Sequence, residues 1–397
     1  MKSLITVLLA LCACARAADT APHPIQVAAY YFPNYHPNDS RNEKVHGPGW
    51  SEWDLVKSAK PRYEGHDQPR VPTWGYTDES DPQVMAKKIA AAADHNIDAF
   101  IFDWYYYNDG PFLQRALDEG FLKASNNTRL KFALMWANHD WIDIHPATLH
   151  QKPKLLYPGK ITSQTFDRMT DEIIAKYFKH PSYWTVDGKP YFSIYELEKL
   201  IESFGSVHAT RDALDRFRAK TRYANLPSLH LNAVVWGRPI LPGEKTPTDP
   251  ATLVDQLGFD SVTSYTWIHH AFLQKSPTTP YEEVRDQYLK YFAESITKFH
   301  APYFPNATIG WDSAPRTNPA GPWDPDGGYP YTRIISGSNL ESFRKAVQMI
   351  KQMIESAPTQ PKIITINSWN EWTEGSYLEP DQTHGTDFLD VIKDVFR

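Results

Sequence analysis

Cysteine is almost missing from this chain: two residues in 397, Cys12 and Cys14, both near the start. The remainder therefore offers no disulfide framework, no cysteine zinc site and no thiol nucleophile. A long hydrophobic run is missing too. The apolar stretch at 4–11 (LITVLLAL) falls well short of the ~20 residues that a permanent membrane helix needs. With Lys2 before it and Ala15-Arg16-Ala17 after it, that stretch has the parts of an export signal. Residues 1–17 are expected to be a cleaved signal peptide, with cleavage after Ala18 or a lipoprotein signal ending at Cys14 as alternatives. Residues 18–397 are then one exported domain, secreted or periplasmic, without stable membrane insertion. An excess of positive charge is missing as well, with 41 Lys and Arg against 47 Asp and Glu. Removing Lys2 and Arg16 takes the formal −6 to −8, and no basic stripe is present to hold nucleic acid.

What is abundant is aromatic surface: 14% of residues, with 13 Trp and 22 Tyr, many beside Asp, Asn, His and Gly. Such rings suit sugars, whose axial C–H faces are apolar while their rims take hydrogen bonds. They also simply fill cores, and composition leaves both readings open.

Along the chain one pattern recurs: short apolar run, polar-aromatic loop, amphipathic helix. The apolar runs lie at 26–32, 99–104, 131–136, 191–195, 230–236, 261–265, 308–311 and 362–367. Helical patterns fall between them at 81–94, 165–178, 210–220, 281–299 and 340–354. Asp81-Pro82 is a strong helix start, a capping residue followed by proline in the first turn. Strands alternating with helices imply a parallel sheet with right-handed crossovers. Eight units over about 370 residues predict a single (β/α)8 TIM barrel with long βα loops. A doubly wound open sheet would place a glycine-rich phosphate turn after an early strand. Here the first strand runs instead into Phe32-Pro33-Asn34-Tyr35-His36.

A barrel puts its chemistry at the C-terminal ends of the strands. The residues there are Tyr31 and His36; Asp103, Trp104 and Tyr105; and Trp136, Asn138, His139 and Asp140. Glu196, Trp236, Tyr265, Asp312 and Arg316 follow. The densest cluster closes the chain: Asn367-Ser368-Trp369-Asn370-Glu371-Trp372-Thr373-Glu374. Two carboxyls among tryptophans at a barrel mouth are what glycosidic cleavage requires. One protonates the leaving oxygen while the other serves as base or nucleophile, and neighbouring indoles raise a carboxyl's proton affinity by desolvation. Glu371 and Glu374 are thus the candidate catalytic pair. Positions i and i+3 of an extended strand face opposite ways, so the pair converges only if the chain turns at Trp372-Thr373. The alternative is a strand-end loop whose acids cap the following backbone. Asp103, Glu196 and Asp312 are rival acids, as catalytic carboxylates or as groups lining the site. Trp53 joins the candidate sugar contacts, and Glu379, followed by Pro380, reads as turn chemistry.

Five segments carry a resemblance: AYYFPNYHP at 29–37, GWSEWDLVKSAKPRYEGHDQP at 49–69, MWANHDW at 135–141, GWDSAPR at 310–316 and NSWNEWTEGSYLEPD at 367–381. In these the chain resembles the WbsX family, the glycoside-hydrolase-99-like group of barrels related to endo-α-1,2-mannosidases. The resemblance implies the barrel and a Glu-x-x-Glu pair with Glu371 as base and Glu374 as acid. It also implies a retaining reaction in which the sugar's own 2-hydroxyl forms a 1,2-anhydro intermediate, suited to manno- or rhamno-configured sugars. Many members carry Asn-Glu-Asn-Trp where this chain has Asn138-His139-Asp140-Trp141.

The expected activity is hydrolysis of a poly- or oligosaccharide without cofactor or metal. One rival is a glycosyltransferase, for which Asp324-Pro325-Asp326 has a metal-binding spacing but reads as a loop. A second is a carbohydrate-binding barrel without catalysis. His139, His145 and His150, and His269 with His270, lack a ligand spacing. Arg70, Arg238 and Arg316, if they face the cleft, would suit an acidic sugar. Three Asn-x-Ser/Thr acceptors, at Asn38, Asn126 and Asn306, matter only in a eukaryotic host. The oligomeric state has no signature in the sequence.

Overall fold

The computed structural model describes residues 25–358 and 361–397, so the expected signal peptide lies outside the described residues. Eight parallel staves form the barrel: β1 (Gln26–Tyr31), β2 (Ala99–Tyr107), β3 (Lys131–Trp136), β4 (Lys189–Ile194), β5 (His230–Val234), β6 (Ser261–Thr263), β7 (Tyr303–Phe304 with Asn306–Thr308) and β8 (Ile363–Asn367). Each pairs with the next, from Ala28 against Ala99 through to Ser261 against Asn232. Gln26 lies against Ile363, joining β8 to β1.

The seventh stave corrects the sequence reading, which placed it at 308–311. It ends at Thr308, and Ile309, Gly310 and Trp311 already belong to the loop above. Pro305 lacks an N–H, so it interrupts the run and disguises it as a turn. Its carbonyl still accepts from Thr365 N at 2.9 Å. The break is where the stave changes partners. Tyr303 and Phe304 pair with β6, Asn306 to Thr308 pair with β8, and the ring closes.

The helices follow local capping chemistry. α1 (Pro82–Asp94) starts on Asp81, whose side chain accepts from Gln83 N. α2 (Ser163–Ile173) is capped by Thr162 and widens into a π-turn at Ile174–Phe178. α3 (Leu197–Phe204) ends on left-handed Gly205, and Ser206 caps α4 (Val207–Tyr223). α5 (Pro250–Leu257), α6 (Tyr281–Lys298), α7 (Leu340–Ser356) and α8 (Asp387–Val395) complete the shell. Between β2 and β3 the crossover carries a short π-helix, Ala116–Phe121, in place of an α-helix.

Inside the barrel the strands are unusually polar. Ser193 donates to Asn232 at 2.8 Å, Asn232 to Ser261 at 2.9 Å, and Asn306 to Thr365 at 3.1 Å. All of these residues are fully buried, so each polar group needs the partner it has. The opposite face of these strands packs on the helix layer, as Trp136 does on Phe166. Among the described residues no helix is long and apolar enough to cross a membrane.

Candidate active site

Above the C-terminal ends of the strands opens a pocket, and both Glu371 and Glu374 line it. Its construction starts at the end of β8. Ser368 Oγ accepts from Glu371 N at 2.8 Å, and the chain then turns through a single 3-10 turn, Trp372–Glu374. That turn swings Glu374 onto the same side as Glu371. Gly375 ends it at φ +63°, where a Cβ would stand 2.7 Å from Asp312 Cβ. Only glycine fits that combination of left-handed backbone and close approach.

One guanidinium organises the acids. Arg316 Nη1 donates to Glu374 Oε1 at 2.6 Å, Nη2 to Glu371 Oε2 at 3.3 Å, and Nε to Glu52 Oε1 at 2.9 Å. Its fixed planar fork suits this task, which a lysine point charge could not perform. Tyr329 OH also donates to Glu374 Oε1, at 2.7 Å. Glu52 sits beneath, receiving Asn34 Nδ2 at 2.6 Å and Thr373 Oγ1 at 2.7 Å. On the other flank, Tyr265 OH lies 2.8 Å from Asp103 Oδ2 and 3.0 Å from Glu371 Oε1.

One cation thus faces three carboxylates, and a fourth stands close by. Burial raises the proton affinity of Glu52 too, but Arg316, His145 and Thr373 outweigh it and hold that carboxyl below its ordinary value. Burial and the adjacent Glu374 push Glu371 well above the carboxylate range, against the pull of Arg316. Glu374 is raised by burial and partly restrained by Arg316 and Tyr329. Asp103, desolvated and without a cation of its own, is also pushed well up. Burial thus shifts the carboxyls of the pocket toward their protonated forms, the direction that acid chemistry needs. His139 and His145 are held at about 4 by burial and are neutral there.

The expected contact residues divide into two groups. Asp103, Tyr105, His139, Asp140, Tyr265 and Arg316 line the pocket with the two glutamates. The others stand behind its walls. Trp104 and Trp136 follow the two-residue alternation of strands outward, packing on Tyr177 and Phe166 of the helix layer. Trp236 lies behind Tyr195 and His269. Asn138 exchanges two hydrogen bonds with the Glu196 backbone, at 2.8 and 2.7 Å, and Glu196 is itself buried. Asp312 is enclosed by His66, Gln68 and Ala314 N. His36 is buried with its Nδ1 against Pro37 O. Trp53 packs on Tyr35 and Trp372.

Tyr31, Trp369 and Asn370 belong to a buried ionic layer below the pair. Lys88 Nζ bridges Glu79 at 2.7 Å and Glu379 at 2.6 Å. Tyr31 and Asn370 donate to Glu79. Glu379, read as a turn residue, accepts the indole N–H of both Trp369 (2.9 Å) and Trp372 (2.7 Å). Sequence reasoning also passed over Tyr195, Glu52 and Tyr329. Tyr195 precedes the chosen Glu196, and strand alternation alone could have favoured it. Glu52 stands between Trp50 and Trp53, a weak signal. Tyr329 lies deep in the 315–337 loop with none. Of the three arginines, Arg316 spends its charge on the acids, Arg70 caps Gly375 O at 3.2 Å, and Arg238 stacks on Phe272 at 4.6 Å.

Among the described residues no group of three His, Cys, Asp or Glu is arranged to hold a metal ion.

Comparison with known proteins covers nearly the whole chain. The model of a family described as "Glycosyltransferase WbsX" matches residues 27–392. A curated protein of Xanthomonas campestris pv. campestris, "Uncharacterized protein WxcX", is 25% identical over 386 residues, 93% of this chain and 49% of that protein. Its counterpart in a second strain matches to the same extent, so the chain spans about half the length of the curated relatives it matches. The solved GH99 endo-alpha-mannosidase from Bacteroides thetaiotaomicron superposes with a TM-score of 0.52 at 15% identity, covering 93% of this chain and 96% of that one. A "Glycoside hydrolase-like protein" superposes at 0.60 with 16% identity, covering 100% and 98%. At such identities the likeness is one of fold, and the fold is that of TIM-barrel glycoside hydrolases.

Proposed function

The chain belongs to the WbsX family, and from that premise we propose that it is an exported glycoside hydrolase cleaving a poly- or oligosaccharide, with Glu371 and Glu374 as its acid–base pair. The observation that carries this reading is the pair itself: two buried carboxyls in one pocket, both raised in proton affinity. Glu374 Oε1 takes the donors from Arg316 and Tyr329, which leaves Oε2 to carry a proton toward a leaving group. In the division of labour that the resemblance implies, Glu371 removes the proton of the sugar's 2-hydroxyl. That oxygen closes on the anomeric carbon while the glycosidic oxygen leaves with the proton of Glu374. Water then opens the 1,2-anhydro sugar, and configuration is retained. Manno- and rhamno-configured sugars, with an axial 2-hydroxyl, fit this chemistry.

The same electrostatics speak against a nucleotide-sugar transferase. The one Arg or Lys lining the pocket, among the described residues, is Arg316, already facing three carboxylates. A diphosphate would meet those acids without a free cation. Asp324 and Asp326 do not line the pocket, and Asp326 pairs with Arg333 at 2.7 Å.

The test is incubation of purified protein with mannans, rhamnose-containing glycans and acidic polysaccharides, with no nucleotide sugar added. New reducing ends are expected, lost in Glu371→Gln and Glu374→Gln while glycan binding persists. Turnover only with a nucleotide-sugar donor would establish the transferase instead. Binding without turnover would make the barrel a carbohydrate-binding protein. An inverted product anomer by NMR defeats the anhydro-sugar route.

A further inference from the structure

Tyr265 carries one hydroxyl hydrogen and stands between two carboxyl oxygens, Asp103 Oδ2 at 2.8 Å and Glu371 Oε1 at 3.0 Å. One hydrogen cannot fill both contacts. Among the described residues, neither oxygen has another donor, and Asp103 Oδ1 is buried with no partner at all. Were both acids ionised, one carboxylate oxygen would confront the lone pairs of the phenol inside a desolvated pocket, an uncompensated buried charge. A second proton removes the conflict. The phenol does not resolve it by ionising, because burial and these same acids push its own proton affinity up. Its ring is fixed by Tyr30 at 4.7 Å and Tyr195 at 5.7 Å, so the oxygen cannot swing toward one acid alone.

We infer that Asp103, Tyr265 and Glu371 form a relay that holds one proton in common and passes it between the two acids. Transfer breaks the Glu371 Oε1–H bond toward the tyrosine oxygen as the tyrosine O–H bond breaks toward Asp103 Oδ2. Two O–H bonds are lost and two are made, and one negative charge moves from Asp103 to Glu371. As a route to an ionised base this role rests on the reading of Glu371 given above; the shared proton itself does not.

The surroundings set the direction of transfer. Facing Glu371 are Arg316, Glu374, Glu52 and Asp103, with the phenols of Tyr35, Tyr105 and Tyr265 packed alongside. With Glu374 ionised, its charge repels a second anion at Glu371, and the proton stays on Glu371. Once Glu374 holds the proton meant for the leaving group, an anion at Glu371 lies 3.3 Å from Arg316 Nη2, and the shared proton is better parked on Asp103. The relay thus readies acid and base together. Asp103 acts through Tyr265 as a positioning residue for the proton.

The resting protein, without substrate, provides the test. Infrared difference spectra at pH 7 resolve the C=O stretch of protonated carboxyls. In a Glu374→Gln background, where no charge at that position holds the proton on Glu371, Asp103→Asn and Glu371→Gln should each remove one such band, because the remaining acid then receives Tyr265's hydrogen and ionises. The double variant should remove no more than either single one. A band that survives in Asp103→Asn assigns the proton to Glu371 alone and overturns the relay. A loss in the double variant twice that of either single variant means two independent protons and overturns it as well. Tyr265→Phe, which keeps both acids, should shift the band, and an unshifted band is equally fatal. With substrate, Asp103→Asn should also carry the acidic limb of kcat/KM to lower pH. Should no glycan be cleaved, the function above fails while the spectra still decide the relay.

Discussion

Arg316→Met removes the one guanidinium against which Glu52, Glu371 and Glu374 are arranged. At 5% exposure solvent does little to screen what is left. Stripping one partner from a buried ion pair costs about 3–5 kcal/mol. Unfolding entropy of about 2.1 cal/mol/K per residue, over roughly 370 residues, makes that loss a fall of roughly 4–6 °C in Tm. The pH dependence is the sharper test. In the parent protein the folded Glu52 carboxyl is depressed, so its contribution is present above the unfolded value near ~4.3 and lost as pH falls through the folded one. Without Arg316 the sign reverses at Glu52, and Glu371 and Glu374, raised already, rise further. The three carboxyls then hold protons more tightly folded than unfolded, and the cost grows as pH rises above ~4.3. Urea unfolding at about pH 5 and about pH 8 should therefore show the larger destabilisation at the higher pH. An equal loss at both, or a larger one in acid, would refute the charge arrangement described here.

Four other expectations follow from the site. Glu374→Gln should cost about 10²–10⁴ in rate on a natural glycan yet recover on an aryl glycoside whose leaving group needs no proton, whereas Glu371→Gln should not recover; the reverse pattern would exchange the two roles. Lys88→Met strands the buried Glu79 and Glu379 and should cost about 3–5 kcal/mol in urea unfolding, with a loss under ~1 kcal/mol counting against the ionic layer. Glu244, buried behind the pocket where it accepts from Tyr195 OH at 2.7 Å, is lifted to about 7 by burial; stability should then decline as pH rises from ~4.3 toward 7, and Glu244→Gln should flatten that slope in a stability–pH profile. Gly375→Ala meets both a left-handed φ and the Asp312 side chain, and its kcat should drop through a displaced Glu374 while glycan binding changes little.

Much of the barrel is legible in the sequence because its signals are local. Asp81-Pro82 announces α1 through a cap and a missing N–H, both within two residues. The apolar stretch at 131–136 announces β3 to the residue. The seventh stave is the exception, since Pro305 carries a local signal opposite to the tertiary outcome. A strand that changes partners midway tolerates the missing donor there, and no window of neighbouring residues discloses that.

The site divides along the same line. Glu371 and Glu374 stand out because two acids and two indoles crowd six positions. Their turn could be required on geometry alone, whereas the frame of the other strand ends could not. A one-residue slip exchanges the pocket face for the helix face, which separates Tyr195 from Glu196 and Asp103 from Trp104. What gives the pair its proton affinities is remoter still. Arg316 meets Glu52 across 264 positions, and Tyr265 meets Asp103 across 162. A carboxyl in a sequence is an acid of ordinary strength. Here its strength is set by which unpaired charges the closing barrel brings against it, so the chemistry at Glu371 is fixed only once β2, β6, the 315–337 loop and β8 have met.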